Sequence, residues 1–205
     1  VEKKLNLRVG ELHQQYPDAK IEVWAMDEQM PAATLRERVG LKPVLRRIWV
    51  PWWEVPTAQV HWRFQWVWVY GFVHPESGET YWWVLPRVNT ELFNQVLGDF
   101  AREFGIGDEK HVLLTVDRAG WHVSHDVQIP HGLHLEFLPP YSPELQPAER
   151  LWTLTNEPIA NQYFSSIEEL EDAIVARCQV LLQKLCFISG LTCYHWWPRT
   201  AAYDN

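Results

Sequence analysis

Three carboxylates carry the chemistry this sequence offers: Asp27, Asp117 and Glu149. Each aspartate closes an apolar run, IEVWAM before Asp27 and HVLLTV before Asp117, so both stand at the end of an expected strand. Glu149 lies in the stretch 137–152, FLPPYSPELQPAERLW, which contains Pro139, Pro140, Pro143 and Pro147. These prolines fix φ and remove backbone donors, giving a stiff approach that cannot continue a strand. Pro147 suits the first turn of a helix, and a carboxylate in that turn is favoured by the helix dipole. Alone, the stretch also reads as a Pro-rich loop with an ordinary N-terminal Glu. Brought together by the fold, three carboxylates would repel one another, and divalent cations would resolve the conflict. Mg²⁺ prefers carboxylates, waters and phosphate oxygens. Two such ions about 4 Å apart activate a water or 3′-hydroxyl and stabilise the leaving oxygen of an in-line phosphoryl transfer.

The elements that must position these acids follow from periodicity. Leu5, Val9 and Leu12 predict a helix over 2–15, ended by Tyr16-Pro17-Asp18. A strand is expected over 21–26, with Ile21, Val23, Ala25 and then Asp27 on one face, and Glu28 on the other. The strongest strand signal covers 60–73, with Trp62, Phe64, Trp66, Trp68, Tyr70 and Phe72 on one face. That stripe reads either as a half-buried core face or as a stacking platform. Pro75-Glu76-Ser77-Gly78 makes a turn, and 80–85 returns as a hairpin partner. Residues 90–104 form an amphipathic helix capped by Gly105, 111–116 a buried strand, and 133–138 a short one. A long helix is expected over 165–188, opened by capping-box patterns at Ser165–Glu168 and Ser166–Glu169. The aromatic tail Tyr194-His195-Trp196-Trp197-Pro198 reads as a plug against the body or a partner subunit. Strand, hairpin, helix, strand, strand and helices give an α/β fold: a mixed sheet with helices on both faces.

The 205 residues suit one domain with a substantial core, and 47% hydrophobic content excludes a disordered tail. Eighteen Lys and Arg against 26 Asp and Glu give a net charge of −8, a poor global footprint for nucleic acid. Bound cations supply part of the missing positive charge, and local clusters must supply the rest. The most basic segment, 28–56, holds Arg36, Arg38, Lys42, Arg46 and Arg47. It reads as a solvated loop with a short strand at 48–50, or as a contact to the DNA backbone. Cys178, Cys186 and Cys193 match no zinc spacing, and a reduced intracellular setting is expected. The N-terminus shows no signal-peptide pattern, and no run is long enough for a membrane span.

Three segments resemble the catalytic core of DDE transposases, most closely the bacterial insertion-sequence branch of the Tc/mariner superfamily: WAMDE at 24–28, LTVDRAGWH at 114–122 and LPPYSPELQPAERLW at 138–152. The likeness runs from about residue 21 to 197 in the right order, and YSPELQPAE is its most specific part. The gap between the second Asp and the Glu, 149 − 117 = 32, also fits that family. The resemblance implies an RNase-H-like five-stranded sheet, its first three strands antiparallel and the rest parallel. It implies a catalytic domain over 21–205 preceded by a lead-in or linker helix over 1–20. It further implies two Mg²⁺ or Mn²⁺ ions held by Asp27, Asp117 and Glu149, with Asp27 bridging both. Cleavage and transfer of DNA strands would follow, with transposon ends and target DNA as partners, a homodimer as the active form, and a cytoplasmic, nucleoid-associated setting. His122 matches a histidine that commonly follows the second acid, either orienting DNA or satisfying its own loop. Arg118 and Gln146 depart from the pattern, since many relatives have Asn at both places. The N-terminal helix-turn-helix modules of relatives are not found in this sequence.

Other readings stay open on the residues: a decayed or repurposed transposase that binds DNA or a protein, a stacking carbohydrate-binding module suggested by the 13 tryptophans, and an RNase-H-like nuclease without strand transfer. Exposure of Trp62, Trp66 and Trp68 discriminates the carbohydrate reading.

Overall fold

The computed structural model describes residues 1–29, 49–55 and 67–200. In chain order the elements are α1 (Glu2–Gln15), β1 (Lys20–Gln29), β2 (Trp68–His74), β3 (Glu79–Leu85), α2 (Thr90–Glu103), β4 (Lys110–Val116), β5 (Leu133–Phe137), α3 (Leu151–Thr155), α4 (Ile167–Leu181) and α5 (Leu185–Thr192). The strands form one sheet in the order β3-β2-β1-β4-β5. β1, β2 and β3 pair antiparallel, whereas β4 joins β1, and β5 joins β4, in parallel. This is the mixed five-stranded sheet expected from the sequence.

Period 2 divides β1 between two cores. Ile21, Val23 and Ala25 face a layer with Leu5, Val9 and Leu12 of α1, Leu151 and Trp152 of α3, and Leu170, Ile174 and Ile188 of α4 and α5. Trp24 and Met26 face the other layer, built on Phe93, Val96, Leu97 and Phe100 of α2. Helices therefore cover both faces. α2 starts on Asn89, whose side chain accepts from Leu92 N–H at 2.8 Å, satisfying one of the four donors a helix start leaves open.

Three expectations need correction. β1 does not stop at Met26 but runs to Gln29, because its antiparallel partner β2 continues the ladder through Asp27↔Gly71, Glu28↔Tyr70 and Gln29↔Val69. β2 is buried along its whole length rather than on one face: Tyr70 and Phe72 enter the α2 layer, while Val69 and Val73 enter the other. Trp68 is buried, which removes it as an exposed stacking platform, while Trp62, Phe64 and Trp66 lie outside the described residues. The expected long C-terminal helix is broken into α4 and α5, which meet at 92°. The bend returns Ile188 to the core that already holds Leu181, whereas Leu182 and Leu185 are left exposed. The α5 start also presses on the β2–β3 turn. Gly78, at φ 79°, has no room for a Cβ, which would sit 1.9 Å from the Leu185 carbonyl oxygen. Ser166 caps α4, accepting from Glu169 N–H at 3.3 Å. The tail closes on the body: Trp197 is buried in the core of α1, α3 and α4, with Tyr194 and Trp196 against it. Among the described residues no single helix is long and apolar enough to cross a membrane.

Candidate active site

Parallel pairing of β1 with β4 reaches Ala25↔Thr115, and beyond that pair β1 continues only with β2. The crevice thus lies outside the carboxyl end of β4, where open α/β sheets place their sites. An open cleft of about 380 Å³ is lined there by Asp27, Asp117 and Glu149 together with Arg118, Gln146 and the 138–143 segment. The three acids named from the sequence are brought to one cavity.

Each acid is held by its own device. Asp27 is 8% exposed, and Trp152 donates its indole N–H to Asp27 Oδ2 at 2.9 Å. Burial, then the charges of Glu149, Glu28 and Asp117, push the Asp27 carboxyl well above the usual range against that hydrogen bond. Asp117 Oδ1 accepts from Ala119 N–H at 2.9 Å and lies 2.8 Å from His122 Nδ1. Glu149 stands in a 3₁₀ turn over Pro147–Arg150 that runs directly into α3, rather than in the first turn of an α-helix. Pro147 and Ala148 anchor this turn in the core.

Gln146 ties the two aspartate-bearing strands together. Its side-chain N–H₂ donates to the carbonyls of Met26, at 2.8 Å, and Thr115, at 3.5 Å, immediately before Asp27 and two residues before Asp117. Its Oε1 is buried without a hydrogen-bond partner among the described residues.

Two residues on the opposite face of β1 join the site. Glu28, which sequence reasoning left unplaced, is buried and lies 2.6 Å from His122 Nε2, and Trp121 Nε1 donates to it at 3.1 Å. His122 therefore bridges Glu28 to Asp117 with both ring nitrogens, its ring tilted against Phe93 at a centroid distance of 4.4 Å. Burial alone would lower its pKa, but the Glu28 charge, the hydrogen bonds to both acids and the Asp117 charge raise it to about 10. The imidazolium form donates from both nitrogens. Of the two roles open to His122, the structure supports the one inside the loop, because its side chain is fully buried. Glu28, Asp117 and His122 have ligand atoms close enough for a metal. With both imidazole nitrogens committed to carboxylates, that cluster reads as a charge-paired brace. The all-oxygen set of Asp27, Asp117 and Glu149 suits a hard divalent cation instead, which would relieve the crowding of charge around Asp27. Trp152 and Glu28 were not singled out as site residues from sequence, although one ends the Pro-rich motif and the other follows the first acid.

Arg36, Arg38, Lys42, Arg46 and Arg47 lie outside the described residues.

A family model for the DDE superfamily endonucleases matches residues 36–171. The uncharacterized protein y4pE/y4sA of Sinorhizobium fredii (strain NBRC 101917 / NGR234) is 34% identical over 121 residues, covering 58% of this chain and 85% of that protein. The whole chain is similar in fold to the Mos1 strand transfer complex (TM-score 0.55, 12% identity). It is also similar to the Mos1 mariner paired end complexes with Mn (0.55, 14%) and with Mg (0.52, 17%). It spans 60% to 62% of the length of those solved chains. At these identities the likeness shows a shared transposase-type, RNase-H-like fold.

Proposed function

This chain belongs to the DDE superfamily endonucleases, and on that premise we propose that it is a transposase catalytic domain that cleaves and transfers DNA strands in a divalent-metal-dependent reaction. The observation that carries the reading is the convergence of Asp27, Asp117 and Glu149, from β1, the end of β4 and the 3₁₀ turn, on one cleft. Asp27, Asp117 and Glu149 would hold the divalent ions there, Mg²⁺ or Mn²⁺, with Asp27 the most buried of the three. When bound, the ions supply the charge that activates a water or 3′-hydroxyl and stabilises the leaving oxygen.

The remaining work belongs to the chain. Trp152 fixes the Asp27 carboxylate through Oδ2. Ala119 N–H and the His122 ring fix the orientation of the Asp117 carboxylate through Oδ1. Glu28 holds His122 in place from behind. The rigid prolines Pro139, Pro140 and Pro143 line the same cleft and stiffen its wall, limiting how a phosphodiester enters. The catalytic unit spans 21–205, and the basic residues Arg36, Arg38, Lys42, Arg46 and Arg47 contact the DNA backbone. The Mos1 transposase paired-end complex with left transposon end supports DNA ends as substrate, and the pairing of two ends makes a homodimer the expected active form.

Nicking of supercoiled plasmid by the folded chain, with Mg²⁺ or Mn²⁺ and with chelator, tests the proposal. It requires metal-dependent nicking that Asp27→Asn, Asp117→Asn and Glu149→Gln each abolish. Nicking that survives these substitutions overturns the assignment of the three acids, and no nicking by the folded wild type overturns the proposal in favour of a non-catalytic remnant.

A further inference from the structure

A second, smaller cavity of about 160 Å³ adjoins the cleft, lined by Val1, Lys4 and Leu5 of the N-terminal segment and by Glu136 and Phe137. Arg118, Leu138 and Pro139 line both cavities, so the two are neighbours on a surface path from the three acids towards α1, called the groove below. The cations on this groove differ in their commitments. Lys4 is paired with Glu136, a buried carboxylate that Arg8 also approaches at 3.6 Å. Arg118 makes no ion pair among the described residues, although it follows Asp117 directly and shares a cleft with Asp27 and Glu149. Its guanidinium lies over the Phe137 ring instead, 5.7 Å from the centroid.

A guanidinium beside three carboxylates would ordinarily close on one of them. Pairing with Asp117 would use up a carboxylate that the metal reading needs. Stacking on Phe137 keeps the charge near the groove while leaving its planar fork of donors uncommitted to the acids. Such a fork matches the two oxygens of a phosphodiester. The chain carries a net charge of −8, so a polyanion can be held beside this cleft only by cations placed individually along its path.

We propose that Arg118 is a backbone-phosphate clamp, gripping a DNA strand as it leaves the cleft over the Leu138–Pro139 lip towards α1. The inference rests on the transposase reading and assigns a substrate contact to the position at which this chain departs from the family's Asn. Arg118 acts here by binding and orienting the strand, not by chemistry.

The test is fluorescence anisotropy of a labelled single-stranded oligothymidine against the folded chain across a salt series in Mg²⁺, with Arg118→Gln, Arg118→Lys and Lys184→Gln. Lys184 is exposed at the start of α5 and lines neither cavity, and its loss changes net charge equally. Arg118→Gln is expected to weaken binding about tenfold and to flatten the salt dependence by roughly 0.7 in log–log slope, the share of one single-strand phosphate. Arg118→Lys keeps the slope and loses less affinity, and Lys184→Gln changes neither. Equal effects of Arg118→Gln and Lys184→Gln overturn the clamp. If the wild type nicks plasmid while Arg118→Gln binds like wild type, the clamp alone fails. If the folded wild type neither binds nor nicks DNA, the clamp fails together with the reading beneath it.

Discussion

Trp152 donates its indole N–H to Asp27 at 2.9 Å from a position that exists only because residue 71 is glycine. Gly71 is the β2 partner of Asp27, and a Cβ there would lie 2.9 Å from Trp152 Cη2 and 3.1 Å from Trp82 Cζ3. The first acid, its hydrogen-bond donor and the bare backbone beneath the donor form one unit. Gly71→Ala is therefore expected to cost about 1–3 kcal/mol of stability through overpacking. Trp152→Phe keeps the ring and loses the donor, and is expected to weaken Mn²⁺ binding about tenfold or more. Chemical denaturation and calorimetry check both. A Trp152→Phe protein with wild-type metal affinity removes the indole from the site.

Asp27→Asn should stabilise the metal-free fold. The folded-state pKa of Asp27 is raised above 3.8, so the carboxyl carries no penalty below that pH and an increasing one as pH rises through its folded value. In chelator at pH 8 the amide, which still accepts from Trp152, is expected to gain about 1 kcal/mol, seen as a rise of about 2–4 °C in Tm. Added Mn²⁺ then raises the wild-type Tm and leaves the variant unmoved. A lower Tm for the variant in chelator contradicts the electrostatic account of the cleft.

Glu28→Gln tests the brace behind Asp117. Glu28 reaches Asp117 only through His122, at 2.6 Å and 2.8 Å. The amide leaves Asp27, Asp117 and Glu149 in place and removes a charge that raises the Asp27 pKa, yet by loosening His122 it is expected to reduce metal affinity about tenfold, while Glu28→Asp recovers part of the loss. Equal stability loss in both variants with unchanged metal binding assigns Glu28 to the core alone.

Glu22 gives a pH dependence independent of the cleft. Burial raises its pKa, but Trp24 Nε1 at 2.8 Å and Lys20 and Lys110, each at 2.9 Å, win and hold the carboxyl at about 2. Because the folded value lies below the ordinary 4.5, this stabilisation is complete above pH 4.5 and is lost as pH falls through about 2. Glu22→Gln is expected to be less stable by about 1–3 kcal/mol at pH 7, the difference closing in acid. Parallel urea-denaturation curves from pH 7 to 2.5 contradict this.

Local patterns made much of the frame readable. The run Leu5, Val9, Leu12 marks α1 and buries as a stripe, the Pro-Glu-Ser-Gly turn makes the β2–β3 hairpin, and VLLTV makes a fully buried β4 ahead of Asp117. The meeting of the three acids in one cleft was anticipated because each sits at the end of a rigid, recognisable element or motif. What periodicity did not reveal depends on contacts distant in sequence. The length of β1 is set by β2, some 40 residues on. The α4–α5 break follows from returning Ile188 to the sheet, which an uninterrupted helical pattern does not encode. Strand parity put Glu28 on the face opposite Asp27 and left its role open, and the Asp117–His122 loop carries the link around the sheet end to that face.

The most direct measurement is calorimetric titration of Mn²⁺ into the folded wild-type chain and into Asp117→Ala. Saturable binding that the substitution abolishes is the predicted result. A folded wild-type chain that binds no Mn²⁺, with or without added DNA, contradicts the claim that Asp27, Asp117 and Glu149 form a metal-dependent catalytic centre.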